Sequence, residues 1–193
     1  MNIDLVFPRK NENAFLKVAE SLGYDILIFA YEKKEEVPLK KITHEKIKVM
    51  TACNEKARNA DMIIAKHSEQ DRNVIEKREV SVLYDLETEK RKDFLHQRAS
   101  GFNHIHAALC REKKVKILFS HNIILKAKNR GQILGRMMQN IWLCRKYKVP
   151  FALASCATSP LEMRAPHDLK ALGIILGMHP SEAKNALSEL IKI

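Results

Sequence analysis

Short apolar runs alternate with helix-length amphipathic segments along this 193-residue chain, which predicts an α/β fold of βαβ units around a parallel sheet. Two further observations narrow that to a compact TIM-like (β/α) barrel of about seven parallel strands with surrounding helices. The run Asp25–Tyr31 is apolar throughout after its first residue, as strands buried on both faces of a parallel sheet are. The first strand leads into Phe7-Pro8-Arg9-Lys10, which lacks the glycine-rich phosphate turn of a doubly wound dinucleotide fold. A full eight-stranded barrel typically needs about 250 residues and rarely fewer than about 200, so this barrel is expected to be small and incomplete. No internal repeat, low-complexity tract or linker interrupts the chain, and residues 1–193 are expected to form one domain.

The elements follow in order. Ile3–Phe7 is the first strand, stopped by Pro8. Asn11 or Asn13 can cap the next helix, whose stripe is Ala14, Phe15, Val18, Ala19 and Leu22, with Gly23 as its stop. Asp25–Tyr31 is the second strand and the charged stretch Glu32–Lys41 a surface connection. Ile47–Met50 and Asp61–Ala65 are two further strands, with a short helical piece between them at Asn54–Asn59. Asp71–Arg78 has the pattern of a short helix and Val80–Tyr84 that of a strand. Lys90–Lys114 is helical in character, with Leu95 and then the stripe Ile105, Ala108 and Leu109. Val115–Phe119 is the sixth strand. Asn129–Lys148 is an amphipathic helix with Ile133, Leu134, Met137, Met138, Ile141 and Cys144 on one side, and Arg130, Arg136, Gln139 and Lys146 on the other. Val149–Ala154 is the seventh strand, and two short helical patterns close the chain.

Thirty-four Lys and Arg against 23 Asp and Glu give a net charge of +11. A field of that sign attracts polyanions, nucleic acid first among them, unless it is simply a solvated basic surface. Hydrophobic residues at 46% fit a packed globular protein and exclude a disordered or fibrous chain. Cys53, Cys110, Cys144 and Cys156 are far apart with no CxxC pair, which reads as reduced thiols in a cytosolic setting and not as a zinc site. No apolar core of signal-peptide length precedes Pro8 and no run is long enough to span a bilayer, so a soluble cytoplasmic protein without a membrane partner is expected.

Candidate chemistry is sparse. His104-Ile105-His106 falls in a helical stretch, where residues two apart point away from each other and cannot chelate one ion. The remaining histidines have no ligand spacing, and no metal site or catalytic residue is assigned. Ser120 and Ser155 sit at strand ends without a GxSxG context, where accepting or donating a backbone hydrogen bond is the simpler role. Asp4, Asp85 and Glu87 lie at strand edges, and spacing alone does not pair them for acid–base work. Basic residues gather at the connections, as in Lys90-Arg91-Lys92, Lys113-Lys114 and Lys126–Arg130. Aromatics are only 6% and fall mostly in apolar runs, Trp142 among them as a packed residue, which favours phosphate contacts over base stacking.

Six segments carry a further signal: GFNH (101–104), VKILFS with IIL (115–125), RMMQNIWLCRKYKV (136–149), ASCA (154–157), MRAPHDLKALGIILGM (163–178) and EAKNALS (182–188). In this order they resemble the archaeal ribonuclease P protein component 3 family, a TIM-barrel relative of the polymerase and histidinol phosphatase domain that lacks its metal ligands. The first strand here likewise has no His-x-His. Before residue 80 the likeness is one of pattern. The resemblance implies a non-catalytic subunit of ribonuclease P, which removes 5′ leaders from precursor tRNA. Chemistry would rest with the RNA subunit and its Mg²⁺, no cofactor would be bound by the protein, and the partners would be that RNA, protein component 2 and, through the holoenzyme, precursor tRNA.

Carried over residue by residue, the resemblance places Lys113, Arg164 and Lys184 on RNA phosphate, with Lys146 and, at a different spacing, Arg98 as further RNA-binding positions. His104 is expected to be buried and hydrogen-bonded, and Ser155 and Asp168 to be structural or RNA-facing. Asp168 could instead cap the helix beginning LKAL with Arg164 paired to it. Asn103, Asn122, Cys156 and His167 depart from the family pattern, and Asn73 and Glu76 stand at family basic positions. Two other readings stay open, a metal-dependent phosphoesterase of the polymerase and histidinol phosphatase type and a generic basic RNA-binding module.

Overall fold

Seven parallel strands form one sheet in sequence order: β1 (Ile3–Val6), β2 (Ile26–Tyr31), β3 (Lys48–Cys53), β4 (Met62–Lys66), β5 (Val82–Tyr84), β6 (Lys116–Ser120) and β7 (Phe151–Ala154). The structure, a computed structural model, describes residues 1–192; the expected domain end, Ile193, lies outside them. Register is set by alternation: Ile26, Ile28 and Ala30 point into the barrel with Ile3, Leu5, Ile64, Val82, Leu118 and Ala152. Leu27, Phe29 and Tyr31 point out beneath α1 (Glu12–Ser21) with Phe15, Leu16 and Ala19. A larger outer layer, including Ile117, Phe119, Met137, Cys144 and Leu153, lies under the remaining helices. Those helices are α2 (Asp71–Glu76), α3 (His104–Lys113), α4 (His121–Lys126), α5 (Arg130–Tyr147), α6 (Pro166–Ile175) and α7 (Pro180–Ala186).

The barrel closes without an eighth strand among the described residues. β1 and β7 meet through one bridge, Val6 to Ala157, with the Phe7 N–H donating to Ala157 O at 2.8 Å. Between them the buried Asp4 carboxylate accepts from the Ser155 backbone N–H at 2.7 Å and from its hydroxyl at 2.6 Å. At the N-terminal end of the strands the 3₁₀ turn Glu189–Ile191 seals the interior, with Leu190 among the barrel-lining side chains. Lys116 Nζ donates to the carbonyls of Glu189, Leu190 and Lys192, fastening that plug to the start of β6.

Several sequence expectations are corrected here. The segment after the 3₁₀ turn Leu86–Thr88 runs to Asn103 without helix, so only His104–Lys113 of the expected Lys90–Lys114 helix forms, and Leu95 is exposed. The reason is Arg136, expected on the polar side of α5 but 2% exposed: its guanidinium takes the carbonyls of Glu87, Glu89 and Arg91 as acceptors and so satisfies the segment without helical bonds. In α3 the buried positions are Ala107 and Cys110, while Ile105 and Ala108 are exposed. Asn54–Asn59 is a turn with no helix, and α4, which starts directly after β6, was not expected. Asn11 sits at the N-cap position of α1 but its side chain accepts from the Arg9 N–H instead.

Candidate nucleic-acid interface

Parallel strands force the chain to run back between them, so the helices that lead into the next strand, such as α3 and α5, end beside the N-terminal edge of the sheet. The expected RNA residues therefore divide between two ends of the barrel. Lys113 ends α3, Lys146 lies in the last turn of α5, and Lys184 lies in the last turn of α7. Arg98, His104, Arg164 and Asp168 belong to segments that leave the C-terminal ends of β5 and β7.

The first group sits in a basic band. α2 packs on α3, α3 packs on α5, and Arg145 of α5 binds Glu182 of α7 at 2.6 and 3.0 Å, so the helix ends lie in series. Cations are at home there, because a helix C-terminus carries partial negative charge. Lys114 and Lys148 close α3 and α5 in left-handed conformations, at φ 59° and 56°, which turns the chain back into β6 and β7. Glu112 pairs with Lys113 at 2.8 Å and Glu182 with Arg145. Arg111, Lys114, Lys146, Lys148 and Lys184 make no ion pair among the described residues. Lys146 Nζ lies 4.9 Å from the centre of the Trp142 ring and 5.7 Å from that of Tyr147, an arrangement that holds the ammonium at the surface. Trp142, expected to be packed, is 53% exposed.

The second group is held differently. The motif residues Arg136, Gln139 and Asn140 of α5 organise the segment that carries Arg98. Arg136 Nε donates to Asp93 Oδ1 at 2.9 Å, Gln139 exchanges two hydrogen bonds with the Arg98 backbone, and Asn140 bridges Ser100 and Glu87. Arg98 pairs with Asp93 at 3.3 Å and lies over Gly135, where a Cβ would meet its guanidinium at 2.4 Å. His104 is exposed, which overturns the buried role: it starts α3, whose N-cap is Asn103, with Oδ1 accepting from the N–H groups of Ile105 and His106. Asn103 thus supplies the acceptor that an acidic residue would.

Arg164 does not pair with Asp168. Its Nη1 donates to Met163 O at 2.8 Å and Leu161 O at 3.3 Å, and Tyr24 donates to its own carbonyl at 2.7 Å. Asp168 is exposed in the first turn of α6, where the dipole favours it, but the cap position belongs to Ala165. Ser155 is fully buried and structural.

Sequence reasoning noted Asp4, Asp85 and Glu87 at strand edges but not that all three are buried, and it did not single out His67 or Asp71. Burial pushes the carboxyls of Asp4 and Glu87 up to about 7. Glu87 keeps one partner, Asn140 Nδ2 at 2.7 Å. His67 is clamped between Asp71 at 2.5 Å and Glu89 at 3.5 Å, and the Asp71 hydrogen bond raises its pKa. Among the described residues no group of three or more His, Cys, Asp or Glu side chains is placed to hold a metal ion, and no helix is long and apolar enough to cross a membrane.

Comparison with known proteins decides the family. The family model described as RNase P subunit p30 matches residues 91–192, just over half of the chain. The chain belongs to the RNase P subunit p30 family. The p30 match begins inside the Arg136-bound segment and takes in both groups of candidate residues. Ribonuclease P protein component 3 of Thermococcus kodakarensis is 41% identical over 90 residues, covering 46% of this chain and 41% of the relative. That of Thermococcus gammatolerans is 39% identical over 100 residues, 51% of this chain and 44% of the relative. The matched part thus spans less than half the length of these relatives.

The fold is shared over nearly the whole chain with a protein in a structure of archaeal ribonuclease P with mature tRNA, at TM-score 0.78 and 20% identity, covering 97% of this chain and 87% of that one. A histidinol phosphate phosphatase from Lactococcus lactis aligns at TM-score 0.57 and 11% identity, covering 92% and 94%, which shows a common barrel and no more. With the p30 family in place, the phosphoesterase reading is not favoured.

Proposed function

We propose that this p30-family chain is a protein subunit of ribonuclease P, which binds the RNA subunit and a partner protein and supports the RNA's catalytic domain during removal of 5′ leaders from precursor tRNA. The observation that carries the reading is the basic band at the ends of α3, α5 and α7, lying within the part of the chain that matches the family. Lysines spaced along helix ends suit a phosphate backbone, because they need position and charge but no reading of bases. The chain supplies cations and a rigid scaffold; bond cleavage is assigned to the RNA and its Mg²⁺. The partner protein is assigned to component 2, as for the relatives' family.

Cleavage of precursor tRNA by the cognate RNA, reconstituted with component 2 and with or without this chain at low Mg²⁺, tests the reading. A gain in rate or affinity on adding the chain is expected. No gain would overturn it, and equal affinity for an unrelated structured RNA would point to a generic RNA-binding module.

A further inference from the structure

The C-terminal mouth of the barrel opens into a cleft of about 1090 Å³ that lies apart from the basic band. That volume is just above the roughly 300–1,000 Å³ of small-molecule sites. Its lining comes from the ends of strands: Phe7 after β1, Lys66 on β4, Tyr84 on β5, Ser120 on β6 and Cys156 after β7. A barrel interior filled with side chains needs no such opening; the N-terminal end of this one is sealed by Leu190.

Three features of the cleft point to one ligand chemistry. Phe7 is partly exposed at the mouth, its ring backed by the buried Tyr84 with centroids 5.5 Å apart, and a ring so placed accepts a stacked base whatever its identity. Asp85 and Asn122 are 7% and 5% exposed, and each keeps one side-chain oxygen without a hydrogen-bond partner. Asp85 is also held in the left-handed region at φ 61°, its carbonyl accepting from Thr88 N–H and hydroxyl. Asn122 is fixed by its amide, which donates to Cys156 O at 2.9 Å. Last, the wall is electrically divided. Lys126 and Lys128 stand on the side of α4 and α5, Lys126 bonded to Thr158 and Glu162 and Lys128 without an ion pair among the described residues, whereas Glu32, Glu35 and Glu36 line the side after β2 and Arg9 and Lys10 the side after β1. A duplex laid across that wall would meet Glu32, Glu35 and Glu36 as well as the cations, while a single phosphate beside Lys128 would not.

We propose that the barrel mouth is a pocket for one ribonucleotide unit, with its base against Phe7, its polar edges facing Asp85 and Asn122, and its phosphate toward Lys126 and Lys128. The unit is either a free nucleoside monophosphate or an unpaired nucleotide of RNA. Burial pushes the Asp85 carboxyl up, against the pull of Lys66 at 3.6 Å, which suits it to hydrogen-bond a neutral base edge. This site is independent of the basic band: it is assayed on the chain alone, with no ribonuclease P RNA, so its failure leaves the subunit reading standing and the reverse holds too.

Calorimetric titration of the full chain with adenosine and uridine 5′-monophosphates, the matching nucleosides and inorganic phosphate tests it, alongside the aromatic resonances of Phe7 and Tyr84. Nucleotides are expected to bind about tenfold or more tightly than nucleoside or phosphate, with shifts at those rings. Phe7→Ala should weaken binding about tenfold, on the scale of one stacked base. The exposed Lys128→Glu should weaken it without touching the fold, which keeps the test decisive if the Phe7 variant does not fold. Binding by a short unpaired oligonucleotide that exceeds and displaces the mononucleotide identifies RNA as the source; failure to displace identifies the free nucleotide. No binding at millimolar nucleotide, equal binding of phosphate alone, or binding unchanged in Lys128→Glu overturns the proposal.

Discussion

Ser155 donates twice to Asp4, by its backbone N–H at 2.7 Å and by its hydroxyl at 2.6 Å, and the pair spans the seam between β7 and β1, where a single bridge is formed among the described residues. A side-chain carboxylate there does the work of a missing ladder, satisfying backbone that would otherwise be buried without a partner. Ser155→Ala should cost about 1–3 kcal/mol by leaving a carboxylate oxygen unpaired. Asp4→Ala should cost more, since it orphans Ser155 N–H, the Ser155 hydroxyl and Leu5 N–H together. Urea unfolding measures both; equal costs would mean the carboxylate does not hold the seam.

Stability should decline as pH rises from about 5 to 8. Asp4 and Glu87 move from 3.8 and 4.5 to about 7 on folding, so between those values the native chain keeps protons that the unfolded chain has released. Their contribution is complete below the unfolded values and lost as pH passes about 7. His67, raised above 6.5 by Asp71, adds in the same direction. Carboxylates held low, such as Glu162 and Glu182, act oppositely and lose their share only at acid pH. Melting temperatures across this range, with and without Glu87→Gln, check the sign; a wild-type curve that rises toward pH 8 would contradict it.

Arg136→Met should cost about 3–5 kcal/mol, the scale of breaking a buried charge pair, and loosen residues 87–100 in particular. Amide exchange and limited proteolysis of that segment report the effect. Uniform loosening of the whole barrel would refute the special role given to the guanidinium.

Two glycines should respond oppositely to alanine. At Gly101, φ is +60° and a Cβ would meet the His67 ring at 2.4 Å, itself fixed by two carboxylates, so the variant should lose about 1–3 kcal/mol. At Gly135 the clash is with the exposed end of Arg98, which can swing away, leaving a helix-propensity gain of roughly 0.5–1 kcal/mol. Thermal denaturation of both variants decides it.

Lys146→Ala should lower the slope of log affinity against log salt for ribonuclease P RNA by about 1, as loss of one phosphate contact does. Trp142→Ala, which removes the ring beneath the ammonium but no charge, should weaken binding while leaving that slope nearly unchanged. Filter binding over a salt series separates the two.

The strands were legible because parallel strands buried on both faces carry unbroken apolar runs, as β2 does throughout and β6 does from Ile117 to Phe119. The segment around Lys90–Gln97 was not, because its Lys, Arg and Leu content has helix propensity and its true organiser, Arg136, lies some forty residues on. α3 misled for another reason: its buried side is made of small residues, Ala107 and Cys110, so the larger Ile105 marked the wrong face. Basic helix ends were readable from composition at the connections. The pairing of Phe7 with Tyr84, or of Lys66 with Asp85, exists only once the strands lie side by side.

Arg136 grips carbonyl oxygens, and every residue has one. A clamp of that kind is blind to the side chains it holds, so past Thr88 and Glu89, which bond Asp85 and His67, and apart from Asp93, the residues it orders up to Gln97 are released from any duty to the barrel. Phe94 and Leu95 stand 69% and 92% exposed on this stretch. Their identities can drift to suit whatever meets them while the shape that presents them stays fixed, which makes this the part of the molecule free to change its company without refolding.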